Sequence, residues 1–488
     1  MPHFVNQWMF TDDAYLSKVR PSTRTIVAPS VHLREQWLPL SNLDRVVTPT
    51  FVSAIFFYKD VLSSRRACCM KDLTASLKQS LAKVLVEFYP LAGRLEIKED
   101  GEVDLHCNNA GAIFFETSVS ATLSELGGPQ PMPVLSGLDA ARLGPGPLYI
   151  PDALTPIPAL IVNVAEFQCG SVAVAVNWHH TVADGSAGCH FLRSWSEVAR
   201  GHNLSLVPNH DRLLLLRPRS PPDPSLVAGY STGTLDEVCR VQPHEAAALK
   251  TDTVLVKQFR LREENLRLLK AAVNADASRE GSIEARPFSS AECVSATLWR
   301  MITRARVPEE ERERDGAGEV SSRKTRFFIF VDARKRMRLP DGFFGNVVAA
   351  AYAESLESDI LRRPPCYAAR LIRAATVNAS DAFMRSLIDW LEVQKSSPDP
   401  VSAKAEHVLS VGHDVAATFW TWFGLYDVDF GWGKADLALR NAPPRHLIDG
   451  VAMMPSPDGA RDMVALLNLH RDRMLRLEHD PEFRALFM

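Results

Sequence analysis

Two adjacent histidines, His179 and His180, lead into Asp184 and Gly185 in the run Asn177-Trp178-His179-His180-Thr181-Val182-Ala183-Asp184-Gly185. Imidazole has an unperturbed pKa of about 6.5, so it can take up a proton near neutrality. Acyl transfer to an alcohol or amine needs such a base, because the acceptor sheds its proton as it attacks the carbonyl. A partner on the other ring nitrogen must fix the tautomer, and a backbone carbonyl serves as well as a carboxylate. Adjacent side chains on extended backbone point to opposite faces. One histidine alone therefore enters a given cavity: His180 is the candidate base and His179 the structural member. Asp184 can hold the imidazole directly, or it can turn away to cap the following helix or pair with an arginine. Its place just before Gly185 and Ser186, at a helix start, favours the second role, and Gly185 permits the close turn.

The elements around this loop are legible from their periodicity. Ala159–Gln168 and Ser171–Trp178 read as strands joined at Cys169-Gly170, with valines alternating against small residues in the second. Ser186–Arg200 reads as a helix with Phe191, Leu192, Trp195, Val198 and Ala199 on one stripe and Gly201 as its C-cap. The loop thus sits where a strand hands over to a helix, a place where rigid scaffolds present reactive side chains. Upstream, Thr50–Lys59 reads as a buried strand and Asp72–Tyr89 as a helix stopped by Pro90. Residues 202–227 contain Arg217-Pro218-Arg219-Ser220-Pro221-Pro222-Asp223-Pro224, too proline-dense for a packed helix or central strand. They are expected to form a crossover between an N-terminal domain (1–201) and a C-terminal domain (228–488). Later strands are expected at Thr253–Leu261, Arg326–Val331, Val415–Trp422, Gly450–Met454 and Met463–Leu469. Helices are expected at Glu263–Ala275, Ser290–Arg304, 362–376 and 380–394, with a final amphipathic segment at Asp472–Leu486. The charged stretch Pro308–Lys324 reads as surface loop. Mixed alternation of strands and helices in both halves indicates an α/β fold of mixed sheets covered by helices.

The bulk properties exclude several classes. The 488 residues carry 55 Lys and Arg against 58 Asp and Glu, a net charge of −3 without the basic excess that nucleic-acid binding requires. Eight cysteines (68, 69, 107, 169, 189, 239, 293 and 366) show neither CxxC nor zinc-ligand spacing, so no metal site is expected. Sparse, unpatterned cysteines suit a reduced compartment. The N-terminus has no signal-peptide pattern, and no apolar run reaches the roughly 18 residues of a membrane span. The expectation is a cytoplasmic, monomeric protein.

A second stretch, Asp429-Phe430-Gly431-Trp432-Gly433, joins the histidine loop in a pattern that resembles the plant BAHD family of acyl-CoA-dependent acyltransferases. Leu40-Ser41-Asn42-Leu43-Asp44, Phe88–Leu95, Phe167–Gly170, Trp195–Gly201 and Phe344-Gly345-Asn346 look similar as well, so the resemblance runs from about residue 40 to the C-terminus. It implies two chloramphenicol-acetyltransferase-like domains, each a mixed sheet flanked by helices, with a channel between them that reaches the histidine from both ends. It further implies acyl-CoA as co-substrate with no bound cofactor, a small hydroxyl or amine acceptor, and direct transfer in a ternary complex without an acyl-enzyme. His180 matches the family's base and Asp184 its structural aspartate. Asp429, Gly431 and Gly433 match a structural motif away from the base, which agrees with their own reading as a packed turn. Trp420, in Thr418-Phe419-Trp420, matches a tryptophan proposed to donate to the oxyanion, and indole N–H is a donor only.

The best-fitting subgroup is the hydroxycinnamoyl-CoA transferases of phenylpropanoid and other specialised metabolism. Members acting on shikimate or quinate hold the acceptor's carboxylate with an arginine. Lys404, in Lys404-Ala405-Glu406-His407, stands in that place, and lysine lacks the bidentate fork. Ser53 is the hydroxyl retained where those members carry Thr-Pro-Ser. Shikimate and quinate are therefore disfavoured, and another hydroxylated acceptor or an amine is open, with Glu406 a candidate contact for a polyamine. The alternatives are a stand-alone condensation-type domain using a carrier-bound thioester, against which the Asp429–Gly433 segment counts, and a catalytically silent binding homologue, against which the intact His180 and Asp184 count.

Overall fold

The computed structural model describes residues 23–47, 50–63, 69–97, 103–125, 156–227, 254–281, 286–306, 323–395, 413–441, 449–457 and 461–488. The chain divides into two compact units. The first comprises Met1–Leu215, Pro340–Asn346 and Phe423–Pro443, and the second Leu216–Leu339, Val347–Trp422 and Pro444–Met488. The division falls inside the expected crossover, but the domains are not two continuous halves. Asp429–Gly433, assigned from the sequence to the C-terminal domain, belongs to the first unit. The reason is a strand the sequence reading missed: Leu437–Asn441 pairs antiparallel with Phe51–Tyr58, from Leu437 opposite Phe57 to Asn441 opposite Ser53.

In the first unit a six-stranded sheet runs in the order Thr23–Val27, Ala112–Val119, Leu160–Phe167, Val172–His179, Phe51–Tyr58, Leu437–Asn441. The Phe51–Tyr58 and Val172–His179 strands are buried along their whole length. Their antiparallel register sets Phe51 opposite His179 and Tyr58 opposite Val172. One face of the sheet gathers Ile55, Phe57, Val119, Phe167, Ala173, Ala175, Leu437 and Leu439 into a single apolar cluster. Side chains of the other parity include Trp178, which lies beneath the Gly185–Ala199 helix at Gly188. A Cβ on Gly188 would come within 2.2 Å of the indole, so no larger residue lets the helix approach this closely. That helix packs beside Met70–Glu87, and Trp195 Nε1 donates to Ser80 Oγ across the seam at 3.0 Å. A smaller sheet of Gln36–Leu38, Val103–Cys107, Arg94–Ile97 and Ile157–Pro158 completes the unit.

The second unit has its own six-stranded mixed sheet, ordered Val254–Leu261, Met463–His470, Gly450–Pro455, Val415–Phe419, Lys324–Asp332, Val348–Leu356. The Ser290–Arg306 helix buries Val294, Leu298, Met301 and Ile302, the stripe its spacing predicts. The expected final segment, Asp472–Leu486, is two helices, Arg471–His479 and Pro481–Phe487. Pro481 has no N–H to continue the first helix, and Asp480 restarts the chain by accepting from the Glu482 and Phe483 amides at 2.9 and 3.1 Å. The expected strand Val415–Trp422 stops at Phe419. The charged stretch 308–322 lies outside the described residues. No helix among the described residues is long and apolar enough to cross a membrane.

Candidate active site

His180 is the first residue past the Val172–His179 strand, and its backbone is pinned from both sides. Its N–H donates to Thr50 O at 2.7 Å, and its C=O accepts from Asn346 Nδ2 at 2.8 Å. The chain then turns tightly, with Val182 N bonded to His179 O at 2.9 Å. Trp178 Nε1 donates to Ala183 O at 3.0 Å, tying the turn back to the strand. The helix begins at once. Asp184 is its N-cap, 1% exposed, with Oδ1 accepting from Ala187 N at 2.9 Å. Such a cap stabilises a helix end by about 1 kcal/mol.

The imidazole of His180 meets Asn346. Its Nδ1 lies 3.1 Å from Asn346 Oδ1. The amide's orientation is settled by its other contacts, since Asn346 Nδ2 donates to Asp44 Oδ1 at 2.9 Å as well as to His180 O. Both of those oxygens are acceptors, so the nitrogen must face them and the amide oxygen must face the ring. His180 therefore carries its proton on Nδ1 and keeps a lone pair on Nε2. Burial holds its pKa below the ordinary 6.5, and the Arg440 guanidinium pushes the same way, against Asp184 and the Asn346 bond. The ring is uncharged at neutral pH, the state a general base requires.

Asp44 is itself anchored. Ser41 caps the Asn42–Val46 helix in a capping box, and its N–H and Oγ–H donate to Asp44 Oδ2 at 2.9 and 2.7 Å. Asp44 Oδ1 also accepts from Asn346 N at 2.9 Å and lies 3.2 Å from Arg212 Nη1. Both side chains of this ion pair are fully buried. Arg212 Nη2 donates to Val182 O at 2.7 Å, within the histidine loop. Removing one partner of such a pair costs about 3–5 kcal/mol, because the other charge is left uncompensated in low dielectric.

His179 takes the other face. It is 3% exposed, edge-on to Phe51 at 5.1 Å, and its Nδ1 has no hydrogen-bond partner. Burial, with the neighbouring His180 adding to it, drops its pKa to about 3. The unfolded chain can take up a proton near pH 6.5 that the folded chain excludes until about pH 3. Stability is thus lost as pH falls through that window, by up to ~1.4 kcal/mol per unit for this group. Between pH 6.5 and 5 the His179→Phe variant should lose about 2 kcal/mol less unfolding free energy than the parent. Parallel curves in denaturant titrations at the two pH values would remove His179 from this account.

The remaining sequence candidates divide. Asp429 Oδ1 accepts from Gly431 N and Gly433 N at 2.7 and 2.9 Å, closing a turn in which both glycines have positive φ, 103° and 96°. Phe430 packs on Trp195 at 4.8 Å and Trp432 on Tyr58 at 5.2 Å, so the motif serves packing in the first unit. Ser53 is 2% exposed, and its hydroxyl donates to Asn177 Oδ1 inside the sheet. The residue of this strand entry that meets His180 is Thr50, through its carbonyl. Thr418 and Trp420 belong to the second unit. Thr418 is half-buried on the Val415–Phe419 strand, and Trp420, 3% exposed, follows that strand with its N–H bonded to Met453 O at 2.8 Å. Lys404 and Glu406 lie outside the described residues. Among the described residues no group of three or more His, Cys, Asp or Glu is placed to hold a metal ion.

Sequence reasoning missed the roles of Asn346, Asp44 and Arg212. Asn346 and Asp44 fall in segments noted above for their resemblance alone, and Arg212 in the stretch taken for a crossover.

Comparison with known proteins identifies the family. The chain is 30% identical to a hydroxycinnamoyltransferase of Narcissus pseudonarcissus, covering 93% of this chain and 97% of the relative. It is also 30% identical to a hydroxycinnamoyl-CoA:5-hydroxyanthranilate N-hydroxycinnamoyltransferase of Avena sativa, over 95% and 97% of the two chains. The crystal structure of vinorine synthase superposes with a TM-score of 0.70 at 23% identity, covering 96% of this chain and 98% of that one, which establishes the common α/β fold. The Transferase family profile matches residues 17–484. The chain belongs to that family, the BAHD acyltransferases, and is an enzyme that uses acyl-CoA as co-substrate.

Proposed function

We propose that the enzyme moves a hydroxycinnamoyl-type acyl group from its CoA thioester to a small alcohol or amine, with His180 as general base and both substrates bound together. The observation that carries this reading is the His180–Asn346 bond, which leaves Nε2 unprotonated and turned away from its tautomer partner. In the reaction Nε2 takes the acceptor's proton as the oxygen or nitrogen attacks the thioester carbonyl. A tetrahedral intermediate forms, and its oxyanion needs a donor; the indole N–H of Trp420 is the candidate. The intermediate collapses by breaking the carbon–sulfur bond, and the imidazolium returns the proton to the departing CoA thiolate. No acyl-enzyme is required.

The hydroxycinnamoyl donor and the choice between O- and N-acylation rest on relatives of both kinds. Incubation with p-coumaroyl-, caffeoyl-, benzoyl- and acetyl-CoA against pooled alcohols and amines, read by mass spectrometry, tests them together. Aromatic conjugates are expected; turnover of acetyl-CoA alone would overturn the donor assignment. The lysine at the acceptor position gives a narrower test. If Lys404 holds an acceptor carboxylate, Lys404→Ala should raise the acceptor's KM about tenfold, the cost of one charge-assisted bond, and leave that of acyl-CoA alone. An unchanged acceptor KM takes Lys404 out of the site.

A further inference from the structure

We infer that the buried Asp44–Arg212 pair is a positioning device that decides which nitrogen of His180 carries the proton, acting through Asn346. This rests on the reading of His180 as base and deepens it. A side-chain amide can turn over with little change of shape, exchanging oxygen and nitrogen. Turned, Asn346 would present Nδ2 to His180 Nδ1 and drive the ring to its Nε2–H tautomer. No lone pair would then remain for the acceptor's proton.

Asp44 forbids the turn because a carboxylate accepts and cannot donate. Its Oδ1 receives Asn346 Nδ2 and Asn346 N, both at 2.9 Å. A turned amide would set two oxygens against each other there, and a second pair against the carbonyl of His180. Asp44 has no freedom to adjust, since Ser41 N and Oγ occupy Oδ2. Arg212 Nη1 lies 3.2 Å from Asp44 Oδ1, so the two buried side chains form an ion pair. The same guanidinium bonds Val182 O, two residues past His180, so one cation steadies both the carboxylate and the loop that carries the base. Well-packed apolar residues often serve stability as well as a buried ion pair does. What the charge adds here is an acceptor that cannot be mistaken for a donor.

The test is the tautomer itself. In protein labelled with 15N-histidine, two-bond proton–nitrogen correlations distinguish Nδ1–H from Nε2–H rings. Wild-type His180 should show Nδ1–H, and a wild-type Nε2–H ring overturns the inference outright. Asp44→Asn offers Asn346 a donor as well as an acceptor. It should yield a tautomer mixture and a kcat lower by ~10–10³-fold, the scale of a misdirected imidazole, with both KM values within about threefold. If that variant does not fold, Arg212→Lys keeps the charge and loses the fork, and a smaller shift in the same direction is expected. A pure Nδ1–H ring with kcat within about twofold of wild type, in either folded variant, refutes the role. The spectrum is independent of turnover: full activity in His180→Ala would refute the base while leaving the tautomer result to stand.

Discussion

His180→Ala should lower kcat by about 10²–10⁴-fold, or roughly 2.7–5.5 kcal/mol of transition-state stabilisation, while the protein stays folded. In the proposed mechanism the loss belongs to kcat, because the imidazole interacts with a proton that leaves the acceptor only as the new bond forms. KM for acyl-CoA should move little. The fold should survive because the His180 backbone bonds, to Thr50 O and from Asn346 Nδ2, do not depend on the ring. The parent enzyme supplies a companion measurement. Burial and Arg440 hold the folded His180 pKa below 6.5, so the base is present above that lowered value and is lost as pH falls through it. The acid limb of kcat/KM should therefore have its midpoint below 6.5. A midpoint above 6.5, or near-wild-type turnover by the alanine variant, would mean that another group removes the proton.

What the sequence disclosed was what is local in it. His180 and Asp184 stood out as candidates because strand, loop and helix are contiguous, and period-2 and period-3.6 patterns bracket them on either side. Asp184 also revealed its capping role, since a carboxylate just before a helix pattern has few other tasks. The rest of the site is assembled over distances no pattern spans. Asn346 lies 166 residues from His180 and 302 from Asp44. Ser41 and Asp44 form a local capping box, and nothing in that spacing says that the carboxylate's second oxygen receives Asn346. Arg212 was hidden by its neighbourhood, for an arginine close to a prolyl stretch is expected in solvent, and this one is 1% exposed. The return of Phe423–Pro443 to the first unit was hidden for a related reason. Leu437–Asn441 is five residues long with a weak alternation, and it earns its place as a strand by pairing with Phe51–Tyr58 rather than by its own propensity. Without it, Asp429–Gly433 falls by position alone into the wrong half.

Asn346→Leu separates holding the base from being the base. Leucine has the same branched arrangement of heavy atoms, but it offers His180 Nδ1 no acceptor and leaves Asp44 Oδ1 with the backbone N–H of residue 346 and Arg212. Two consequences follow for His180. The ring is free to adopt the Nε2–H tautomer for much of the time, so kcat should fall by about 10²-fold, less than for removal of the imidazole itself. The bond to Asn346 also raises the pKa of His180, because Oδ1 binds the doubly protonated ring more strongly than the neutral one. Its loss should move the acid limb of the surviving activity to lower pH. These signs distinguish the mechanism from damage of a general kind: a loosened site would lower activity and raise KM for both substrates, with no reason for the pH limb to move downward. If the limb stayed in place while kcat fell, Asn346 would be a packing residue, and the tautomer of His180 would have to be set by another group.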